Sequence, residues 1–308
     1  RRVDGGNGAY FMGQVSGKAF PAYFPTVFTL KEPIVSLFLM LTALILAIFG
    51  TLKIWARNFH FSYLATYIRE NIISLSLFGF VVLYAYVSIT GNLNIGFRHL
   101  FPILPFAFIL TAKSIFGHIN KMEKPGSFTW GIFITLLLVI LIAQTVSAYP
   151  YYMSYFNQIA GGPKNGYKYV TDSNADWGQD LKRLKVWLEK YNTDCATTSY
   201  PCPVTFKGYV PTPLKPIDKI RVNYFGGGDI KYYLGDMAID WWDSKRPIEA
   251  GWYAISTNYL QGSLYDKEKK DDESYRWIVK NNIEPVYQVG TSIFIYYLTP
   301  EDIKKIGQ

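Results

Sequence analysis

Ten consecutive residues, Thr171-Asp172-Ser173-Asn174-Ala175-Asp176-Trp177-Gly178-Gln179-Asp180, hold the densest set of chemically competent side chains in the chain. Carboxylates recur at every fourth position, at Asp172, Asp176 and Asp180. They could converge on a divalent cation, the one cofactor that the sequence leaves open. With Asn174, Gln179 and Trp177 beside them, they could equally bind a saccharide. Its hydroxyls would take hydrogen bonds while its apolar face stacks on the indole. The spacing is not that of an EF-hand loop. A plainer role competes, because Asp176 followed by Gln179 resembles a capping box, and acidic groups favour the positive end of a helix.

A second constellation is Arg98-His99, within Asn94-Ile-Gly-Phe-Arg-His-Leu-Phe-Pro-Ile-Leu-Pro-Phe106. An Arg fork suits a phosphate, with snorkelling of the cation to lipid headgroups as the alternative. Lys31, at the end of an aromatic stretch from Phe20 to Phe28, could meet a lipid phosphate or serve as a headgroup anchor. Tyr224-Phe225-Gly226-Gly227-Gly228-Asp229 lacks the phosphate-loop pattern and predicts a tight strand-to-helix turn. The two cysteines, Cys195 and Cys202, are close enough in sequence to close a small disulfide loop in an oxidising compartment, with two free thiols as the alternative. No CxxC pair or His cluster has the spacing of a zinc site.

The elements that must position these residues fall into two halves. Half of the 308 residues are hydrophobic and only 18% are charged, too few for the surface of an ordinary soluble globule. Residues 1–148 carry 11 Lys+Arg against 4 Asp+Glu, and residues 149–308 carry 20 against 19. The excess positive charge thus lies in the apolar half, which argues against a nucleic-acid partner. That half contains four stretches long enough to span a bilayer: Pro33 to Trp55, Asn71 to Ile89, Leu100 to Phe116, and Phe128 to Ala148. Lys53, Arg57 and Arg69 stand at or near the ends of the loop after the first stretch, and Lys113, Lys121 and Lys124 at or near the loop after the third, so these two loops are expected to be cytoplasmic. The N-terminal segment and residues 149–308 would then lie outside. Arg98 would be a cation on the outer side, against the usual bias.

Residues 1–32 read as an outside loop with an interfacial segment, 33–148 as a four-span region, and 149–308 as an extracytoplasmic α/β domain. The expected fold is therefore a membrane all-α region followed by that domain. In the domain a helix is expected from Asp176 to about Lys190. Strands are expected at Ile220 to Phe225, Gly251 to Ser256, Ile283 to Val289 and Ser292 to Leu298, the last two joined at Gly290-Thr291. The chain opens on Arg1-Arg2 without Met or signal peptide, and is expected to be the C-terminal part of a longer polytopic protein.

Several of these blocks resemble one known family. The stretch from Tyr149 through the Asp172–Asp180 run to Leu184 is similar to a block of bacterial membrane glycosyltransferases of the protein O-mannosyltransferase-like type (glycosyltransferase family 39 and its relatives, C-type superfamily). The segment from Tyr10 to Pro33, the Arg98-His99 segment, the Tyr224–Gly235 segment and Gly251-Trp-Tyr-Ala-Ile-Ser256 resemble further blocks. The resemblance implies a multi-pass protein of the inner membrane that uses a polyprenyl-phosphate-linked sugar. It implies a protein or glycan acceptor outside the cytoplasm, as in protein glycosylation at the cell envelope. It puts the catalytic acidic base in an outside loop upstream of Arg1, so no catalytic residue is named here. Arg98, His99 and Lys31 take the donor-phosphate role, although Glu32 stands where the family usually has Thr. Asp172, Asn174, Asp176 and Trp177 match the family block, and with Gln179 and Asp180 they are the candidates for acceptor or sugar binding. Two other functions compete: a non-catalytic membrane-anchored saccharide-binding or scaffold domain, and a transporter of lipid-linked saccharides.

Overall fold

The computed structural model describes residues 8–57, 61–196, 215–241, 247–269 and 274–307, which form two compact units. The first, residues 19–152 and 156–159, is helical. It comprises α1 (Tyr23–Lys31), α2 (Ile34–Arg57), α3 (Phe61–Thr90), a 3-10 helix (Phe97–Ile103) that continues into α4 (Leu104–Ile119), and α5 (Lys124–Ser147). Four of these helical stretches are long and apolar enough to cross a membrane: Ile34–Lys53, Leu64–Thr90, Phe97–Ile119 and Lys124–Ser147. The second begins well before the expected Asn71, because Arg69 and Glu70 are good helix formers and continue the helix. The two prolines of the third do not break it. Pro102 lies in the 3-10 turn, and Pro105 stands in the first turn of α4, where no backbone donor is needed.

Packing within this unit is narrow. Val35, Leu39 and Ala43 of α2 meet Ile115 and Ile119 of α4 and Ile134 of α5. Ser114 of α4 donates to the Ala43 carbonyl at 2.8 Å, which ties the two helices together. The outward faces remain apolar, with Phe49 67% exposed, Ile73 73% and Phe128 71%. A helix in water would carry polar residues there.

The second unit contains residues 8–18, 153–155 and those from Ala160 onward. A short hairpin, β1 (Ala9–Phe11) and β2 (Gln14–Ser16), leads it. The hairpin is pinned by Met12 N to the Tyr169 carbonyl (2.8 Å) and by the Tyr10 hydroxyl to the Lys168 carbonyl (3.0 Å). Then follow α6 (Leu181–Lys190), β3 (Ile220–Asn223), α7 (Ile230–Leu234), β4 (Ala238–Asp240), β5 (Gly251–Ser256), α8 (Thr257–Tyr265), α9 (Arg276–Lys280), β6 (Tyr287–Val289), β7 (Ile293–Leu298) and α10 (Pro300–Ile306). The five strands β3–β7 form one mixed sheet in the order β4-β3-β5-β7-β6. β3 pairs in parallel with β4 and β5, whereas β7 is antiparallel to β5 and β6.

Both faces of this sheet are covered, so its central strand is hydrophobic from Trp252 to Ile255. Trp252 and Ala254 of β5 face a core built with Leu181, Leu184, Trp187 and Leu188 of α6. Tyr253 and Ile255 face the opposite core, with Leu260 of α8 and Trp277 and Ile278 of α9. Thr299 and Asp302 close a capping box that starts α10. A helical region followed by an α/β domain is thus the architecture. Within the domain, the third expected strand is shortened: β6 begins only at Tyr287. Ile283 N instead donates back to the Ile278 carbonyl at 2.9 Å, closing the turn after α9 in which Asn282 stands at positive φ.

Candidate functional site

The acidic run lies where the loop before α6 meets the β6–β7 hairpin. The expected capping box is absent, and α6 starts later than its sequence suggests. Its first residue is Leu181, and Asp180 stands at the N-cap without making a side-chain cap bond. The reason is that both intended capping side chains are engaged elsewhere. Asp176 accepts from Gly178 N at 3.0 Å and, through Oδ2, from the Ser256 hydroxyl at the end of β5. The Gln179 amide closes a local loop instead. Its Oε1 accepts from Trp177 N (2.8 Å), and its Nε2 donates to the Ala175 carbonyl (3.0 Å).

Asp180 is fully buried and is the hub of the arrangement. Its Oδ2 accepts from Thr291 N (2.7 Å), Ser292 N (2.8 Å) and the Ser292 hydroxyl (3.0 Å), and Oδ1 pairs with Arg183. Thr291 passes the network on by donating to the Ser154 hydroxyl at 2.8 Å. Gly290 turns the hairpin at φ 59°, and a Cβ there would overlap the Asp180 carboxylate. On the other side of the run, the Tyr224 hydroxyl donates to the Gly178 carbonyl at 2.9 Å. The backbones of Gly178 and Gly226 approach so closely that neither position has room for a Cβ. The Tyr224–Asp229 segment is indeed a strand-to-helix turn, with the Asp229 carboxylate accepting from Lys231 N and Tyr232 N at the start of α7.

The six candidate residues of this run therefore divide. Asn174, Asp176 and Asp180 are buried. Asn174 donates to the Thr171 carbonyl at 3.1 Å. Burial, with Asp180 nearby, pushes the Asp176 carboxyl up to about 6, although the Ser256 and Gly178 donors pull it down. Asp172, at φ 56°, accepts from the next backbone amide, Ser173 N. Trp177 is 48% exposed, and its ring makes a T-shaped contact with Phe225 at 6.0 Å. The carboxylates are spent on protein donors rather than aimed at one point. Among the described residues, no group of three or more His, Cys, Asp or Glu could hold a metal ion.

The helical unit presents the opposite situation. Arg98 and His99 lie on the 3-10 helix, which is held by Phe97 packed between Phe28 of α1 (6.3 Å) and Phe101 (5.5 Å). Arg98 is exposed, whereas His99 is half-buried and its Nε2 has no hydrogen-bond partner. Asn92 and Asn94 of the preceding turn accept from Ala19 N and Phe20 N, both at 2.6 Å, and so fix the approach to α1. At the far end of α1, Asn157 donates to the carbonyls of Thr29 (2.6 Å) and Glu32 (2.8 Å). Lys31 lies over the Phe156 ring at 4.6 Å, and burial pushes its ammonium down to about 7. The Glu32 carboxylate accepts from Ser36 at 3.1 Å, and burial raises its pKa.

Cys195 is disulfide-bonded. The sequence holds one other cysteine, Cys202, which lies outside the described residues. Sequence reasoning missed Ser256, Thr291, Ser292, Asn92, Asn94 and Asn157. Only Thr291 had a signal, its place in a predicted hairpin turn. Comparison of the chain with protein-family models, with curated proteins and with solved structures finds no match.

Proposed function

We propose that this chain is part of an integral membrane glycosyltransferase that moves a sugar from a polyprenyl-phosphate donor to an acceptor outside the cytoplasm. The observation that carries the reading is the Arg98-His99 turn. It sets an exposed guanidinium beside a buried, unpartnered imidazole nitrogen at the start of an apolar helix. A cation on the outer side of a membrane helix is kept when it holds an anion, and a buried nitrogen without a partner costs about 1–3 kcal/mol. A lipid-linked phosphate would satisfy both. The resemblance of the Asp172–Asp180 and Arg98–Phe106 blocks to the O-mannosyltransferase-like family supports the same class. So do the apolar outward faces of the helices. The disulfide at Cys195 fits an oxidising compartment for the α/β domain.

In this reading the acceptor oxygen bonds to the anomeric carbon as the bond from that carbon to the lipid phosphate oxygen breaks. The acceptor proton passes to an acidic base in an earlier outside loop, as the family resemblance implies. Arg98 and His99 steady the charge that gathers on the departing phosphate. Lys31 lies on α1, the helix that packs on the Arg98 turn, and joins them if an anion close by restores its charge. The Asp172–Asp180 run takes a supporting role, with Trp177 as its only largely exposed side chain.

The test is transfer from radiolabelled polyprenyl-phosphate mannose by the full-length protein in nanodiscs. Acceptor-dependent release of polyprenyl phosphate is expected. Tight binding of the donor with no release, across mannose, glucose and aminosugar donors, would instead assign a binding or scaffold role.

A further inference from the structure

A groove of about 450 Å3 runs along α6 on the α/β unit, bounded by Lys182, Arg183, Val186 and Lys190 on the helix and by Tyr287 and Gly290 on the hairpin. That volume is in the range of small-ligand sites, roughly 300–1,000 Å3. Its charge is one-sided, since three cationic residues line it and no carboxylate does.

Helix geometry explains the convergence. Lys182, Val186 and Lys190 are spaced by four residues and share one stripe, while Arg183 stands one residue along and on the same side. The remaining lysine of this stretch, Lys185, points elsewhere and pairs with Glu189 at 3.8 Å. Among the described residues, neither Lys182 nor Lys190 is in an ion pair. Arg183 is held in place from beneath by the buried Asp180, with its side chain still 31% exposed. From Lys182 to Lys190 the helix rises roughly 12 Å, at about 1.5 Å per residue. That is too long for one phosphate or carboxylate and suits a ligand with acidic groups spaced along it.

We infer that this groove binds a short acidic glycan. Three features favour a glycan over other anions. The walls are partly apolar: Tyr287, half-exposed and stacked on Trp187 at 5.6 Å, offers a ring face to a sugar. The site is concave, which a flat anionic lipid surface does not fill. A peptide that docks by adding a strand would need β6, the edge of the sheet. That edge is only three residues long, and its Gln288 side chain is tied to the Lys164 carbonyl at 3.2 Å. The inference is separate from the transferase reading, because the groove needs no donor and none of the residues placed at the lipid phosphate.

The test is calorimetric titration of the full protein in nanodiscs, without donor, with three probes: tetragalacturonate, neutral maltotetraose and tetra-aspartate. Tetragalacturonate is expected to bind, and to bind more weakly as salt is raised. The Lys182→Gln/Lys190→Gln double variant, altered only at exposed positions, should weaken it about tenfold or more. Four results would each overturn the inference: no binding of tetragalacturonate, equal binding of maltotetraose, equal binding of tetra-aspartate, or no change in the double variant. Sugar transfer by the double variant reports on the transferase reading independently.

Discussion

The Asp172–Asp180 run and the Arg98-His99 turn offer similar chemical promise as sequence, and the fold treats them in opposite ways. In the first, the buried side chains already have their partners: Asp180 takes three donors from Thr291 and Ser292, and Asp176 takes Ser256 and Gly178. In the second, an arginine is exposed and a buried imidazole nitrogen lacks a partner. A satisfied buried carboxylate is structural capital that a ligand cannot draw on without breaking the unit. An unsatisfied polar atom beside an exposed cation is what a ligand can improve. The acidic run therefore locks the loop before α6 to the β6–β7 hairpin, while the cationic turn is where we propose that a phosphate binds.

Substitutions should separate the two regions sharply. Asp180→Ala removes the ion-pair partner of Arg183 and the acceptor of the Thr291 and Ser292 amides. It should destabilise the α/β unit by about 3–5 kcal/mol, read as lost hydrogen-exchange protection in the hairpin. Next comes pH. The Asp176 carboxyl is raised from 3.8 to about 6, so between those values the folded state holds a proton that the unfolded state has released. Stability should therefore fall as pH rises from about 4 to 6 and level off above, by up to about 3 kcal/mol. Asp176→Asn should flatten that slope in denaturation curves. Gly290→Ala forces a Cβ onto the Asp180 carboxylate at positive φ and should cost about 2 kcal/mol or more, visible as a lowered midpoint for the same unit. Smallest in stability is Arg98→Ala, an exposed change expected within about 0.5 kcal/mol of the parent. Its effect should fall on donor use instead. If Asp180→Ala left the hairpin protected, the contrast between the regions would collapse.

How much of this was legible depends on the range of the interactions. The four long helices followed from local hydropathy, and β5 matched Gly251 to Ser256 because both its faces are buried. The strand-to-helix turn at Gly226–Gly228 likewise rested on neighbours in sequence. The start of α6 did not, since Asp176 found Ser256, 80 positions away, and Asp180 found Thr291 and Ser292, more than a hundred away. β1, β2 and β4 are three residues each, too short for an alternating pattern to show. The cationic groove had no signal as a motif. Lys182, Arg183 and Lys190 all lie on one helix, and the opposing wall comes from Tyr287 and Gly290 of a hairpin about a hundred residues away.

The central claim is that the Arg98 turn holds a lipid phosphate. It is tested most directly by comparing binding of polyprenyl phosphate and of the corresponding polyprenol to the full-length protein in nanodiscs. The phosphate should be preferred by the parent, and Arg98→Ala should reduce that preference by about tenfold or more while leaving polyprenol binding unchanged. An undiminished preference in Arg98→Ala would contradict the assignment.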